Sequence, residues 1–227
     1  MIAENIAKIR SQLPDGVRLI AVSKLKSQED VLEAYGAGQR MFGENYATEL
    51  RDKAAALPKD IEWHFIGHLQ GKQLKYYMPF VSMIHGVDSE EHLQEVERAA
   101  AKVGRTVDVL LQVHVAQEET KFGFAPEELE EECARWNLAC DFPNVRLCGV
   151  MGMASHTDEV ARVRDDFRRV RALFDSLKGG VFAGRECFRE VSMGMSHDWQ
   201  IAVDEGSTLI RLGTSIFGAR DYGKRPQ

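Results

Sequence analysis

Eight short apolar runs recur along the chain. Each is followed by a polar or glycine-containing turn, and most of those by a stretch whose apolar residues repeat near every 3.6 positions. The runs begin at Val17, Arg40, Ile61, Val81, Val107, Val145, Cys187 and Ser207, and their near-continuous apolar character reads as strands of a parallel sheet covered on both faces. Between them the clearest helix is Thr157 to Lys178. There Val160, Val163, Phe167, Val170, Phe174 and Leu177 form one apolar stripe on a charged surface, and Gly179 and Gly180 stop it. Ser27 with Asp30 makes a capping box ahead of Val31, Leu32 and Tyr35, and Ser89 opens a further helix that runs to Gly104. Ile2 to Leu13 reads as an extra helix in front of the first strand.

Alternating strands and helices imply a parallel α/β fold, and eight units in about 200 residues approach the lower size of a (β/α)8 TIM-type barrel. The competing architecture is an open doubly wound sheet, which needs fewer strands. Eight candidates, and no Gly-x-Gly-x-x-Gly after the first of them, favour the barrel. No Pro-, Ser- or Gly-rich linker divides residues 1–227, so one domain is expected.

With 44% hydrophobic residues among 227, the chain can bury a substantial core. Its formal net charge of -6, with basic residues scattered among acidic ones, offers no face to a phosphate backbone, and nucleic acid is not an expected partner. The start, "MIAENIAKIR", lacks a signal-peptide core, and no run approaches the roughly 20 apolar residues of a membrane span. A cytoplasmic protein is expected, and a monomer, because helices packed on the barrel leave no large apolar stripe. Cys133, Cys140, Cys148 and Cys187 show neither a CxxC pair nor a zinc spacing, and read as ordinary thiols. His68, His85 and His114 likewise lack a metal-ligand pattern.

Functional groups of such barrels sit where strands end. Lys24 follows the buried run "LIAV" almost at once, and an amine partly buried at a strand end is deprotonated more easily and can attack an aldehyde. On its own it equally reads as a solvated lysine at the start of a loop. Ser196 reads either as the N-cap of a short helix carrying Ile201 and Val203, or as a hydroxyl donor to an anion. Arg211, Leu212, Gly213 and Thr214 end the last strand, where backbone amides can point at a phosphate, as the last two loops of many barrels do. A lysine on one side and a phosphate site on the other suggest pyridoxal 5'-phosphate (PLP).

The stretches "AVSK", "FGENY", "WHFIGHLQGKQ", "HGVDS", "SMGMSHDW" and "GSTLIRLGTSIFGAR" together resemble the pyridoxal phosphate homeostasis protein family, which is similar to the N-terminal barrel of alanine racemases. The resemblance spans nearly the whole chain. It implies that Lys24 carries PLP as an internal aldimine (a Schiff base), that Ser196 binds the phosphate with the backbone of Gly213 and Thr214, and that Arg211 faces the pyridine nitrogen. Asn45 and His64 match motif positions near the cofactor. Lys26 and Lys121 are further amines near loops of the same face, and His197 stands where many relatives carry an acidic residue.

An arginine opposite the ring nitrogen is always charged and can only donate, so the nitrogen stays unprotonated and the cofactor is a weaker electron sink. Aminotransferase and decarboxylase chemistry are therefore not expected. Racemisation needs an acid or base on each face of the substrate. Alanine racemases take theirs from a second domain that is not recognisable here, and Tyr222 reads as a tail residue. The expectation is a non-catalytic PLP carrier serving vitamin B6 homeostasis, with PLP and apo forms of PLP-dependent enzymes as partners. The alternative is a small, weakly active amino-acid racemase. A PLP-independent barrel enzyme acting on phosphate sugars is a third class.

Overall fold

A computed structural model describes residues 1–118 and 122–219. All eight apolar runs form strands: β1 (Arg18–Val22), β2 (Met41–Glu44), β3 (Glu62–Phe65), β4 (Met83–Val87), β5 (Val107–Val113), β6 (Val145–Gly152), β7 (Glu190–Ser192) and β8 (Leu209–Leu212). Each pairs in parallel with the next, and β8 returns to β1, with Ile20 opposite Arg211 and Ala21 opposite Leu212, closing a barrel. The TIM-type expectation is met and the open sheet is excluded.

The helices are α1 (Ile2–Arg10), α2 (Gln28–Gly36), α3 (Ala47–Ala56), α4 (Glu90–Val103), α5 (Pro126–Arg135), α6 (Leu138–Asp141), α7 (Val160–Gly179), α8 (Trp199–Asp204) and α9 (Thr214–Phe217). The α2 capping box forms as expected between Ser27 and Asp30, Ser89 caps α4, and Gly104 closes α4 in the left-handed conformation at φ 65°. Two ends differ from the sequence reading. Helix α1 stops at Arg10 rather than Leu13, because the residue before Pro14 is steered away from helical geometry. Helix α7 starts at Val160 rather than Thr157, because the Thr157 hydroxyl accepts the Glu159 amide in a local turn. The β3–β4 connection carries only a 3-10 helix, Gly71–Tyr76, in a segment broken by Gly67, Gly71 and Pro79.

Side-chain alternation along the strands sorts the core into two bodies. Ile20, Met83, Leu110, Cys148, Met151 and Leu209 fill the inside of the barrel. A larger shell, with Phe42, Trp63, Phe65, Val109 and Val150 on the strands and Val31, Leu50, Val96, Phe167 and Phe174 on the helices, lies between sheet and helices. Burying each such large side chain stabilises the fold by about 1.5–3 kcal/mol. The barrel is therefore a filled scaffold, and its ligand chemistry is confined to its ends. No helix among the described residues is long and apolar enough to cross a membrane.

Candidate cofactor site

Strand β1 ends at Val22, and the half-buried Lys24 sits in the turn that follows. Because β8 is the neighbour of β1, the segment after β8 comes to the same side of the barrel mouth. The two border a cleft of about 300 Å³ whose lining includes Lys24, Asn45, Ser196, Arg211, Gly213 and Thr214. Six of the seven residues expected from the sequence thus share one wall system.

Ser196 does not cap the helix after it. Helix α8 begins after Asp198, whose carboxylate accepts the Met195 amide at 2.6 Å. The Ser196 hydroxyl oxygen instead accepts from the amides of Gly213 (3.3 Å) and Ser215 (3.4 Å), which pins the hydroxyl of a cleft-lining residue to the backbone that follows β8. This approach depends on Gly194, at φ 97°, where an added Cβ would lie 2.7 Å from Ala202. The same residue's carbonyl accepts the Arg211 amide at 3.0 Å and ties the β7 loop to β8. Asn45 is approached more closely still, from the loop after β3. A Cβ on Gly67 would fall 2.2 Å from the Asn45 carbonyl oxygen, so only glycine fits there. Asn45 Oδ1 is buried with no protein partner, an acceptor available to a ligand.

Arg211 is 5% exposed. Its guanidinium donates to Ser192 Oγ at 2.6 Å and to the Gly152 carbonyl at 3.3 Å. Burial pushes its pKa down to about 10, which leaves it charged at neutral pH. Beneath it a polar column runs through the barrel: Ser192 Oγ lies 3.0 Å from His85 Nδ1, and His85 Nε2 lies 2.9 Å from His64 Nδ1. The Ser192 hydroxyl accepts from Arg211 and still has a hydrogen and a second lone pair for His85 Nδ1, so the donor order along the column follows the tautomers of the two rings. Burial pushes the His64 pKa down to about 3 and that of His85 well below the ordinary value, so both rings are neutral.

His64 is the one expected site residue outside the cleft. It lies at the far end of this column and lines a separate cavity at the other mouth of the barrel, with Arg18 and Asp108. Its link to the cleft is indirect, because alternation on β3 turns it inward one layer below.

Of the other residues singled out, Lys26 gives its amine to the carbonyls of Phe217 (2.9 Å) and Ala219 (2.6 Å), a bond across the barrel seam. His197 lines the cleft and stands 3.3 Å from Asp198. Met153 and Met195 also line it, whereas Met151 packs inside the barrel and Met193 in the outer shell. Lys121 and Tyr222 lie outside the described residues. No group of three or more metal-ligating side chains occurs among the described residues.

The sequence reading missed the Ser192–His85 link and the buried Lys53 of α3. Both carried a signal. His85 is polar at the inward position next after Met83, and Lys53 follows Ala47 and Leu50 on the buried stripe of its helix.

The groups in this cleft fit PLP: the Lys24 amine, the Ser196 hydroxyl beside the Gly213 and Thr214 backbone, the Arg211 guanidinium and the unpartnered Asn45 oxygen. The profile of the family described as alanine racemase, N-terminal domain, matches residues 1–221. A pyridoxal phosphate homeostasis protein of Aquifex aeolicus is 38% identical over 206 residues, covering 90% of this chain and 88% of its own. The solved structure of PipY from Synechococcus elongatus with PLP bound is 37% identical, has a TM-score of 0.85, and is matched over 96% of this chain and 100% of that one. The PLP-free structure of PipY gives a TM-score of 0.88 at the same identity. The chain thus belongs to the alanine racemase N-terminal domain family and, within it, to the pyridoxal phosphate homeostasis proteins.

Proposed function

We propose that this protein binds PLP in the β1–β8 cleft, holds it covalently through a Schiff base to Lys24, and serves as a carrier in PLP homeostasis rather than as a robust enzyme. The observation that carries the reading is the convergence of Lys24, Ser196 with Gly213 and Thr214, and Arg211 on one cleft. The PLP-bound PipY structure and the names of the relatives support it.

PLP supplies a reversible electrophile for an amine and an electron sink whose strength depends on protonation of its ring nitrogen. The chain's own residues determine how much of that is used. Lys24 provides the attachment, and Ser196 with the Gly213 and Thr214 backbone anchors the anionic end. Arg211 is charged and anchored by Ser192, so it presents only donors to the ring and keeps the sink weak. This arrangement retains the cofactor and passes it on, with apo PLP-dependent enzymes as recipients.

The test is an absorption spectrum of purified protein before and after borohydride, with mass spectrometry of the trapped product. The expected result is a PLP adduct on residue 24 that is absent from Lys24→Ala. An adduct on another residue, or none, overturns the reading.

A weak racemase is the second reading, and one observation favours it: His197 shares the cleft with Lys24, giving two groups able to transfer protons. Robust change in the chiral composition of L-amino acids, lost in His197→Ala, would decide for it. Three broader proposals accompany the carrier reading: a cytoplasmic location, a single domain over residues 1–227, and a monomer, the last checked by light scattering.

A further inference from the structure

The backbone on each side of Lys24 is held by one buried set of charges. Lys53 of α3 is 4% exposed. Its ammonium donates to the Ser23 carbonyl (2.7 Å), to Glu44 Oε1 (2.8 Å) and to Glu49 Oε1 (2.7 Å), which uses all three of its hydrogens. The Ser23 hydroxyl donates to the same Glu44 oxygen at 2.7 Å. On the other side of Lys24, the Leu25 amide donates to Glu49 Oε1 at 2.7 Å.

Leu25 has φ 60°, and among the described residues it is the one non-glycine in the left-handed region. That conformation costs a residue with a β-carbon about 1–3 kcal/mol, and it persists only where the surroundings dictate it. Burying an ammonium is also expensive. A well-packed apolar residue at position 53 would hold α3 on the barrel at lower cost. What an apolar residue cannot do is bond the carbonyl at 23 and, through Glu49, fix the amide at 25.

We propose that Lys53 and Glu49 are positioning residues for Lys24: they clamp residues 23 and 25 and so fix the direction in which the amine enters the cleft. Neither lines that cleft, so they act through the main chain. The proposal rests on the reading of Lys24 as the PLP-binding amine, but its test does not depend on PLP alone.

Glu49→Ala removes the acceptor of the Leu25 amide and leaves the Lys53–Glu44–Ser23 bonds intact; Glu49→Gln restores an acceptor oxygen. In Glu49→Ala, capture of added PLP at residue 24 is expected to slow by about tenfold or more, as misplaced reacting groups do, and in Glu49→Gln to stay within about threefold of the parent. A second readout is competitive labelling by trace acetic anhydride, with Lys24 scored against the exposed Lys8 by mass spectrometry, below the melting point of each variant. The Lys24/Lys8 ratio is expected to change several-fold in Glu49→Ala and to be rescued in Glu49→Gln. Where the alanine variant does not fold, Glu49→Asp, which withdraws the carboxylate by one methylene, is expected to show the same slowing. Parent-like capture and labelling in the folded variant overturn the clamp. If the parent takes no PLP at residue 24 but the labelling ratio still shifts, the cofactor reading fails and the clamp stands.

Discussion

Ser196 shows how a single residue is decided by its partners rather than by its place in the chain. Its hydroxyl meets the Gly213 and Ser215 amides, so Ser196→Ala should weaken PLP retention by about tenfold, one hydrogen bond of roughly 1–1.5 kcal/mol, measured by fluorescence titration of the apoprotein. Glu44 makes a second residue-level prediction. Burial pushes its carboxyl up to about 7, with Lys53 opposing, against an ordinary 4.5. Between those values the folded chain binds more protons than the unfolded one, so this group's contribution is full below pH 4.5 and is lost as pH rises through about 7. The melting temperature of the parent relative to Glu44→Gln should therefore fall across that window. His64 has the opposite sign. Its folded pKa of about 3 lies below the ordinary 6.5, so its contribution is present above 6.5 and is lost as pH falls toward 3. His64→Leu should accordingly show a flatter acid limb in a pH series of urea melts.

At the level of elements, the sequence was most legible where local chemistry and tertiary packing agree. The α2 capping box, the Ser89 cap and the α7 stripe from Val163 to Leu177 form, because each is written in residues three or four apart, whereas Val160 at the first turn of α7 stays exposed. Ser89→Ala should destabilise the chain by about 1 kcal/mol, and Phe167→Ala, fully buried on α7, by about 3–5 kcal/mol, both read from urea unfolding midpoints. What was not legible depends on contacts between distant elements. Position 64 could be matched to a motif, but whether its ring reaches the cleft or hangs a layer below is set by inward alternation and by His85, a strand away. The Lys53 bonds to Ser23 and Glu44 join residues 30 and 9 positions apart, a pairing no local pattern announces.

At the scale of the whole molecule, eight parallel strands in sequence order were readable because every run was present, and closure leaves the sheet no open edge. The cleft lies at the closing seam: Lys24 follows β1, Arg211 stands on β8, and Lys26 ties the β1 loop to Phe217 and Ala219. Synthesis proceeds from one side of that seam to the other. A ribosome completes the amine early, yet the groups that recognise the anionic tail emerge only about 170 residues later. On the carrier reading, a nascent or prematurely halted polypeptide is unable to sequester vitamin B6, and loading becomes a certificate that translation has run to its last strand.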